Sequence, residues 1–124
     1  MASCPHGGHI TEGERKLKLN EYQDRSKRTL NTSASQNDQL ANYALGLAGE
    51  AGEVIDQLKK VIFHKHKLNP GKLTEELGDV LFYVAALATI TGIAMDEIAR
   101  MNITKLQLRY PEGFDPERSR NRES

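Results

Sequence analysis

The spacing of apolar and polar residues predicts four helices and no strand. Apolar positions recur with a helical period along most of the chain, and no segment shows the alternation of a half-buried strand. Asn69 is suited to cap a helix that has Pro70 in its favoured first-turn position, and Gly92 is suited to end that helix. The four predicted helices span Leu17–Leu30, Asp38–His64, Pro70–Thr91 and Met95–Arg109. The sequence therefore predicts an all-α fold built as a four-helix chain.

The segments outside these helices are predicted to be flexible tails. Residues 1–16 contain glycine and proline without periodicity, and residues 115–124 are densely charged, so the predicted helical domain covers residues 17–114. Cys4, His6 and His9 raise the alternative of a zinc site in the first tail. A structural zinc site takes four ligands at recognised spacings, so we expect no metal there.

The second predicted helix has an apolar face with a polar stripe along its edge. The face comprises Leu40, Ala44, Leu47, Ala51, Val54, Ile55, Leu58, Val61 and Ile62. The stripe comprises Glu50, Glu53, Gln57 and Lys60. Gly46, Gly49 and Gly52 lie beside it, although each glycine costs about 1 kcal/mol relative to alanine inside a helix. These glycines are explained if another backbone or a bulky ligand must come close to the carboxylates.

The third predicted helix repeats this arrangement within the segment EELGDVLFYVAALATI. Glu76, Asp79 and Tyr83 follow i, i+3, i+7 spacing and share one face. A carboxylate in such an apolar segment is costly unless its charge is compensated. Two helices thus each offer a pair of carboxylates, and converging carboxylates favour hard cations that bind oxygen. The sequence predicts a Mg²⁺ site, or Mn²⁺ in its place, formed by Glu50, Glu53, Glu76 and Asp79.

Two alternatives bear on this prediction. Acidic pairs at i, i+3 are common on solvated helix faces, and either pair alone would fit that interpretation better. A di-iron bundle requires a histidine three residues after a glutamate, whereas Glu53 follows Glu50 and Asp79 follows Glu76 at that spacing. The pattern therefore favours magnesium over iron.

Basic and amide side chains supply candidates for phosphate contacts. The segment KKVIFHKHK ends the second helix, where cations complement the helix dipole. Lys60 differs because it continues the glutamate stripe and can face a phosphate. Asn102 and Lys105 share a face of the fourth helix, with Arg109 one turn further, and spacing alone slightly favours a solvated face there.

Composition narrows the classes of partner. The 124 residues carry 17 basic and 17 acidic side chains, so the formal net charge is zero and a nucleic acid polymer is an unexpected partner. The most apolar run, Val80–Ile90, is too short to span a bilayer, which takes about 20 residues. Cys4 is the only cysteine, which fits a reducing compartment. We expect a cytoplasmic protein that binds neither membranes nor nucleic acids.

Three segments of the chain form one recognisable pattern. Glu50-Ala-Gly-Glu53 in GLAGEAGEV is followed by Glu76-Leu-Gly-Asp79 in ELGDVLFY and then by MNITKLQLRYPEGF. Together they closely resemble the MazG-like nucleotide pyrophosphohydrolases of the all-α NTP pyrophosphatase superfamily. The resemblance covers roughly Leu17 to Phe114.

The resemblance implies hydrolysis of a nucleoside triphosphate between its α and β phosphorus atoms, which gives the monophosphate and pyrophosphate. It also implies that Glu50, Glu53, Glu76 and Asp79 are Mg²⁺ ligands and that one glutamate of the second helix orients or deprotonates the attacking water. Which of the two glutamates does so, and the base and sugar preference, stay open.

The same resemblance implies a set of substrate contacts and an assembly. Tyr83, Asn102 and Lys105 match phosphate or sugar contacts, and Lys60 joins them. Gln23, with Tyr22, would line the base pocket. The helical bundle would be completed by a second subunit, as a homodimer or a dimer of dimers. The alternative hypothesis is a non-enzymatic helical dimerisation module whose carboxylates pair with cations of a partner.

Overall fold

A computed structural model describes residues 16–122, and the zinc candidates Cys4, His6 and His9 lie outside that range. The observed helices are α1 Leu19–Ser26, α2 Gln36–Phe63, α3 Pro70–Thr91, α4 Met95–Arg109 and α5 Pro116–Arg120, with a 3₁₀ turn at Lys27–Thr29. Between residues 16 and 122 there is no β-strand, only an isolated bridge between Pro111 and Gly113. The predicted all-α fold is confirmed.

Local capping explains where α2 and α3 begin and end. The Ser35 hydroxyl accepts a hydrogen bond from the Asp38 N–H at 3.2 Å, so α2 begins at Gln36, two residues before the predicted start. Asn69 Oδ1 accepts from the Lys72 N–H at 3.1 Å and caps α3 as predicted. Gly92 has a φ of 74° and ends α3 in the left-handed region.

The fifth helix is a difference from the sequence-based expectation of a turn and a frayed end. Asp115 Oδ1 accepts from the Glu117 N–H at 2.9 Å, and Pro116 occupies the first helical position. This cap and this proline are sufficient to start a short helix.

The first helix is also shorter than predicted, because its end tightens into the 3₁₀ turn.

Helices α2 and α3 form an antiparallel hairpin, and α1 packs on both α3 and α4. Gly46 of α2 lies beside Tyr83 of α3, whereas Glu50, further along α2, lies beside Glu76, earlier on α3. No single helix in the described range is long and apolar enough to cross a membrane. The pair α3 and α4 taken together has sufficient length and apolar composition, but the two helices meet at a bend of 108°.

The buried core is small. It consists of Tyr43, Ala85, Ala86, Ala88 and Met95. Tyr22 and Val84 pack against part of it. The predicted apolar face of α2 is only partly covered, because Ile55 is 66% exposed and Ile62 is 67% exposed in the single chain. Helix α3 shields one side of α2, and these two side chains lie on the side it does not cover.

Candidate metal and nucleotide site

Three carboxylates converge where α2 and α3 face each other. Glu50 comes from α2, and Glu76 and Asp79 come from adjacent turns of α3. One carboxylate oxygen from each residue lies within 4.8 Å of the other two. Glu50 and Glu76 are half-buried and Asp79 is exposed, so the group sits at the mouth of the interhelical groove. We call Glu50, Glu76 and Asp79 the carboxylate cluster.

The electrostatics of the cluster show that its charges are crowded. The pKa of Glu50 is raised, first by its partial burial and then by the negative charge of Asp79. A hydrogen bond with Glu76, and the charges of Glu76 and Glu53, raise the pKa of Glu50 further. A bound divalent cation would offset this repulsion, and an all-oxygen donor set suits a hard ion. The residues present therefore fit a divalent metal.

Glu53, the fourth predicted ligand, lies outside the carboxylate cluster. It follows Glu50 by three residues on α2, and its exposed side chain faces a recess that Gln57 and Lys60 also line. Its charge still contributes to the raised pKa of Glu50. The structure thus brings three of the four predicted carboxylates together and leaves Glu53 one turn away along the helix.

Lys60 continues the polar stripe of α2 as predicted, but it already has an acidic partner. Its ammonium lies 2.9 Å from Asp56 Oδ2, one turn earlier. The hydrogen bond and charge of Asp56, and then the charge of Glu53, raise the pKa of Lys60, so the side chain stays positively charged. Lys60 therefore presents its charge on the Glu53 side of α2.

Tyr83 occupies the free volume at Gly46. A Cβ built on Gly46 would lie 2.7 Å from Cδ1 of the Tyr83 ring and closer still to Cε1. The ring is also held by Tyr43 and Phe82, whose ring centroids lie 6.0 and 5.3 Å away. At Gly46 the neighbour is thus an aromatic side chain of α3, one turn from Asp79, and the predicted approach of another backbone or a bulky ligand to the carboxylates stays a prediction.

Gly49 and Gly52 of α2 and Gly78 of α3 face open space. A Cβ at Gly49, Gly52 or Gly78 would meet no atom of the described residues within 4 Å. Burial, and then the negative charge of Asp79, raise the pKa of the Tyr22 hydroxyl on α1. Helix α1 packs on α3, the helix that carries Asp79.

Gln23 has a structural role that the sequence did not indicate. Its Nε2 donates to the Ile93 carbonyl at 2.8 Å and to the Thr89 hydroxyl at 3.3 Å. Its Oε1 accepts from the Met95 N–H at 2.8 Å. The carboxamide thus forms its hydrogen bonds with residues of the turn between α3 and α4. The predicted contact of Gln23 with a nucleotide base stays a prediction.

Asn102 and Lys105 lie on α4, which makes its main tertiary contacts with α1. Both line an open, largely apolar groove together with Ile98 and Met101. They are exposed and do not belong to the carboxylate cluster. Their predicted contact with the nucleotide stays a prediction, and it requires another surface, such as that of a second subunit, to come close to this groove.

Sequence analysis did not identify Lys67 and Lys72 as neighbours of the polar stripe of α2. Lys67 and Lys72 line the recess beside Glu53, whereas the basic segment that contains Lys67 was interpreted as a complement to the dipole of α2. The signal available in the sequence was Lys72, a cation in the first turn of a helix, where the dipole makes cations unfavourable.

Comparisons with known proteins identify what this chain is similar to. The family model described as "MazG nucleotide pyrophosphohydrolase domain" matches residues 38–114. The "Gene 37 protein" of Mycobacterium phage L5 is 37% identical over 78 residues, which are 60% of this chain and 68% of that protein. The crystal structure of iMazG from Vibrio DAT 722 matches with a TM-score of 0.55 and 28% identity, covering 76% of this chain and 98% of that one. The matched range contains all four predicted metal ligands.

Proposed function

Because this chain belongs to the MazG nucleotide pyrophosphohydrolase family, we propose that it hydrolyses nucleoside triphosphates to the monophosphate and pyrophosphate with Mg²⁺. The observation that carries this proposal is the carboxylate cluster, in which oxygen atoms of Glu50, Glu76 and Asp79 lie within 4.8 Å of one another. Family membership supports the reaction class, and the cluster supports the proposed location of the metal.

The chain's own residues account for the main requirements of the reaction. Phosphoryl chemistry depends on positioning and on neutralising charge rather than on covalent help from the protein. Glu50, Glu76 and Asp79 would hold Mg²⁺, which polarises a phosphoryl oxygen and lowers the pKa of bound water. Glu53, one turn along α2, supplies a further carboxylate to complete the ligand set or to orient the attacking water. Tyr83 packs beside Gly46, which precedes Glu50 on α2, whereas Glu53 follows Glu50.

We further propose that the protein acts as a homodimer or a dimer of dimers. Large apolar side chains are exposed on the single chain, including Leu45 and Phe63 on α2 and Met101 and Leu108 on α4. Exposed apolar groups in such number mark surfaces that are covered in an assembly. A two-fold interface would bury them and would bring a second surface toward Asn102 and Lys105.

The test of the proposed reaction is product analysis. Purified protein is incubated with a panel of ribonucleoside, deoxyribonucleoside and modified triphosphates in MgCl₂, and pyrophosphate and orthophosphate are measured separately. We expect pyrophosphate together with nucleoside monophosphate, and no product when EDTA replaces MgCl₂. Release of orthophosphate, or turnover that EDTA does not affect, would contradict the proposal.

The second candidate function is a non-enzymatic dimerisation module, which the exposed apolar surface also favours. Sedimentation and calorimetry distinguish the two functions. A dimer that binds neither Mg²⁺ nor any nucleotide would support the module. A dimer that binds Mg²⁺ and releases pyrophosphate would support the enzyme.

A further inference from the structure

The Tyr83 ring is enclosed by the backbone of α2 and by two other aromatic rings. Its Cδ1, Cε1 and Cζ atoms lie over Gly46, because a Cβ built on that glycine would lie 2.5 Å from Cζ and closer still to Cε1. The ring centroids of Phe82 and Tyr43 lie 5.3 and 6.0 Å from that of Tyr83. Aromatic pairs at such distances favour defined orientations, because a ring has a negative face and a positive edge. The position of the Tyr83 ring is therefore fixed from several sides.

The hydroxyl of Tyr83 differs from its ring, because the fold does not use it. Within the described range of the chain it has no hydrogen-bond partner. The side chain is only half-buried. Since the hydroxyl is attached to Cζ, the contact with Gly46 also fixes where the hydroxyl lies. Tyr83 thus combines a fixed ring with a hydroxyl that is available to a ligand.

Tyr43 of α2 holds the Tyr83 ring from one side and is itself held at both ends. It is 6% exposed, and its hydroxyl accepts a hydrogen bond from the Asn31 N–H at 2.8 Å. Its ring packs edge-on against Phe82, with centroids 6.5 Å apart, as well as against Tyr83. Tyr43 therefore cannot turn away from Tyr83 without losing the hydrogen bond to the segment that precedes α2.

The glycine at position 46 argues against ordinary core packing as the whole explanation. Glycine is less favourable than alanine inside a helix, and a smaller side chain at position 83 would leave room for alanine. Helix α3 does place small residues at its most buried positions, Ala85, Ala86 and Ala88. At position 83 it instead carries a tyrosine whose polar end contributes no hydrogen bond to the fold. The cost of Gly46 is explained if that polar end has a function.

We propose that Tyr43 and Gly46 are positioning residues that hold Tyr83 for its contact with the nucleotide. This inference rests on the proposed function, in which Tyr83, one turn from Asp79 of the carboxylate cluster, contacts a phosphate or the sugar. Tyr43 and Gly46 need not touch the nucleotide themselves. They act through the Tyr83 ring, so replacing either one displaces the Tyr83 hydroxyl and leaves the metal ligands in place.

The first experiment observes the Tyr83 ring directly. The chain has four tyrosines and no tryptophan, so NMR of protein with isotope-labelled tyrosine rings can follow each ring, and Tyr83→Phe assigns the Tyr83 signal. We expect Gly46→Ala and Tyr43→Leu each to shift that signal. Tyr43→Phe keeps the neighbouring ring and should leave the signal close to its wild-type position.

Gly49→Ala is the matched control for Gly46→Ala in the NMR experiment. It is the same substitution on the same helix, but its new methyl group would meet no neighbouring residue of the segment 16–122 within 4 Å. It should leave the Tyr83 signal unchanged. If Tyr43→Leu does not fold, the comparison of Gly46→Ala with Gly49→Ala still tests whether the ring is held from the α2 side.

The second experiment measures KM and kcat for a triphosphate in MgCl₂. We expect Gly46→Ala and Tyr43→Leu to raise KM about threefold to tenfold, which is the range that an aromatic contact supplies, with a smaller change in kcat. In a Tyr83→Phe background the same substitutions should have little further effect, because residues that act through one group are not additive. Met95→Ala, in the separate cluster with Ala85 and Ala88, should lower stability without changing KM.

Three results would overturn the inference. The first is a Tyr83 signal that neither Gly46→Ala nor Tyr43→Leu shifts. The second is a shifted signal with KM unchanged, and the third is a rise in KM that persists undiminished in the Tyr83→Phe background. The NMR experiment needs no turnover. If the ring moves as expected but the wild type hydrolyses no triphosphate, the proposed reaction fails and the packing of Tyr83 on Tyr43 and Gly46 stands.

Discussion

Gln23 of α1 holds the first turn of α4, because its Oε1 accepts a hydrogen bond from the backbone N–H of Met95 at 2.8 Å. Asn20 Oδ1 accepts from the next N–H, that of Asp96, at 2.9 Å. Ala94, at the N-cap position of α4, has no side-chain group that can cap. Helix α1 therefore supplies from a distance the caps that the sequence of α4 lacks.

The variant Gln23→Leu is expected to destabilise the fold. It leaves the partly buried Met95 N–H and the Ile93 carbonyl without their partner, which costs about 1–3 kcal/mol of unfolding free energy. Urea unfolding measures the change. The control is Asp24→Asn, which removes only an exposed ion pair with Lys27 and should cost less than about 1 kcal/mol. Unchanged stability with a raised KM would instead place Gln23 at the nucleotide base.

The variants Gly46→Ala and Gly49→Ala are expected to change stability in opposite directions. At Gly46 the new methyl group overlaps the Tyr83 ring, and overpacking of about 1–3 kcal/mol outweighs the gain in helix propensity of about 1 kcal/mol. At Gly49 a new methyl group would meet no neighbouring residue of the segment 16–122 within 4 Å, so the gain remains. Urea unfolding compares the two. A destabilised Gly49→Ala would reveal a second surface packed against α2.

The pKa shift of Glu50 predicts a stability difference that depends on pH and metal. Because the pKa of Glu50 is raised in the folded state, ionising it costs stability, and that cost appears as pH rises through the folded-state pKa. In EDTA we expect Glu50→Gln to unfold a few degrees above the wild type at about pH 7, with no difference at about pH 4. Added MgCl₂ should stabilise the wild type more than the variant.

Thermal unfolding of Glu50→Gln needs a control for the loss of any acidic charge. Glu75→Gln serves, because Glu75 is exposed and adjoins Glu76 without belonging to the carboxylate cluster. It should match the wild type at both pH values. A lower melting temperature for Glu50→Gln in EDTA at neutral pH would mean that its carboxylate supports the fold.

Asp79→Asn and Glu53→Gln are expected to separate metal binding from turnover. Replacing a residue that merely supports a metal ligand costs about 10–100-fold in affinity or activity, so losing Asp79 should cost at least about a hundredfold in turnover and weaken Mg²⁺ binding. Glu53→Gln should lose turnover while keeping most of its Mg²⁺ affinity, because Glu53 lies outside the carboxylate cluster. Calorimetry with MgCl₂ and pyrophosphate release measure the two effects, with Glu75→Gln again as the control.

The sequence predicted the parts of the fold that depend on local chemistry. Asn69, Pro70 and Gly92 act through neighbouring backbone groups, and the bounds of α3 and α4 agree with the structure. The carboxylate pairs were recognisable because i, i+3 spacing fixes which residues share a face of a helix. Local rules alone were sufficient for these features.

Features that depend on distant partners could not be predicted in the same way. The hydrogen bonds of Gln23 reach residues 66 to 72 positions away, and no local pattern encodes them. The exposure of Ile55 depends on which side of α2 the other helices cover, which the helical wheel does not contain. Likewise, Glu53 shares the stripe of Glu50, yet the position of α3 decides that only Glu50 meets Glu76.

Gly92 determines the direction of α4 relative to α3. Its φ of 74° lets the chain turn a corner of 108° within the three residues that separate α3 from α4. A β-branched residue there would resist that corner, because the left-handed region is strongly unfavourable for branched side chains. Helices α3 and α4 would then favour one continuous straight helix. The apolar side chains of α4 would lose their contact with α1 and become exposed to water.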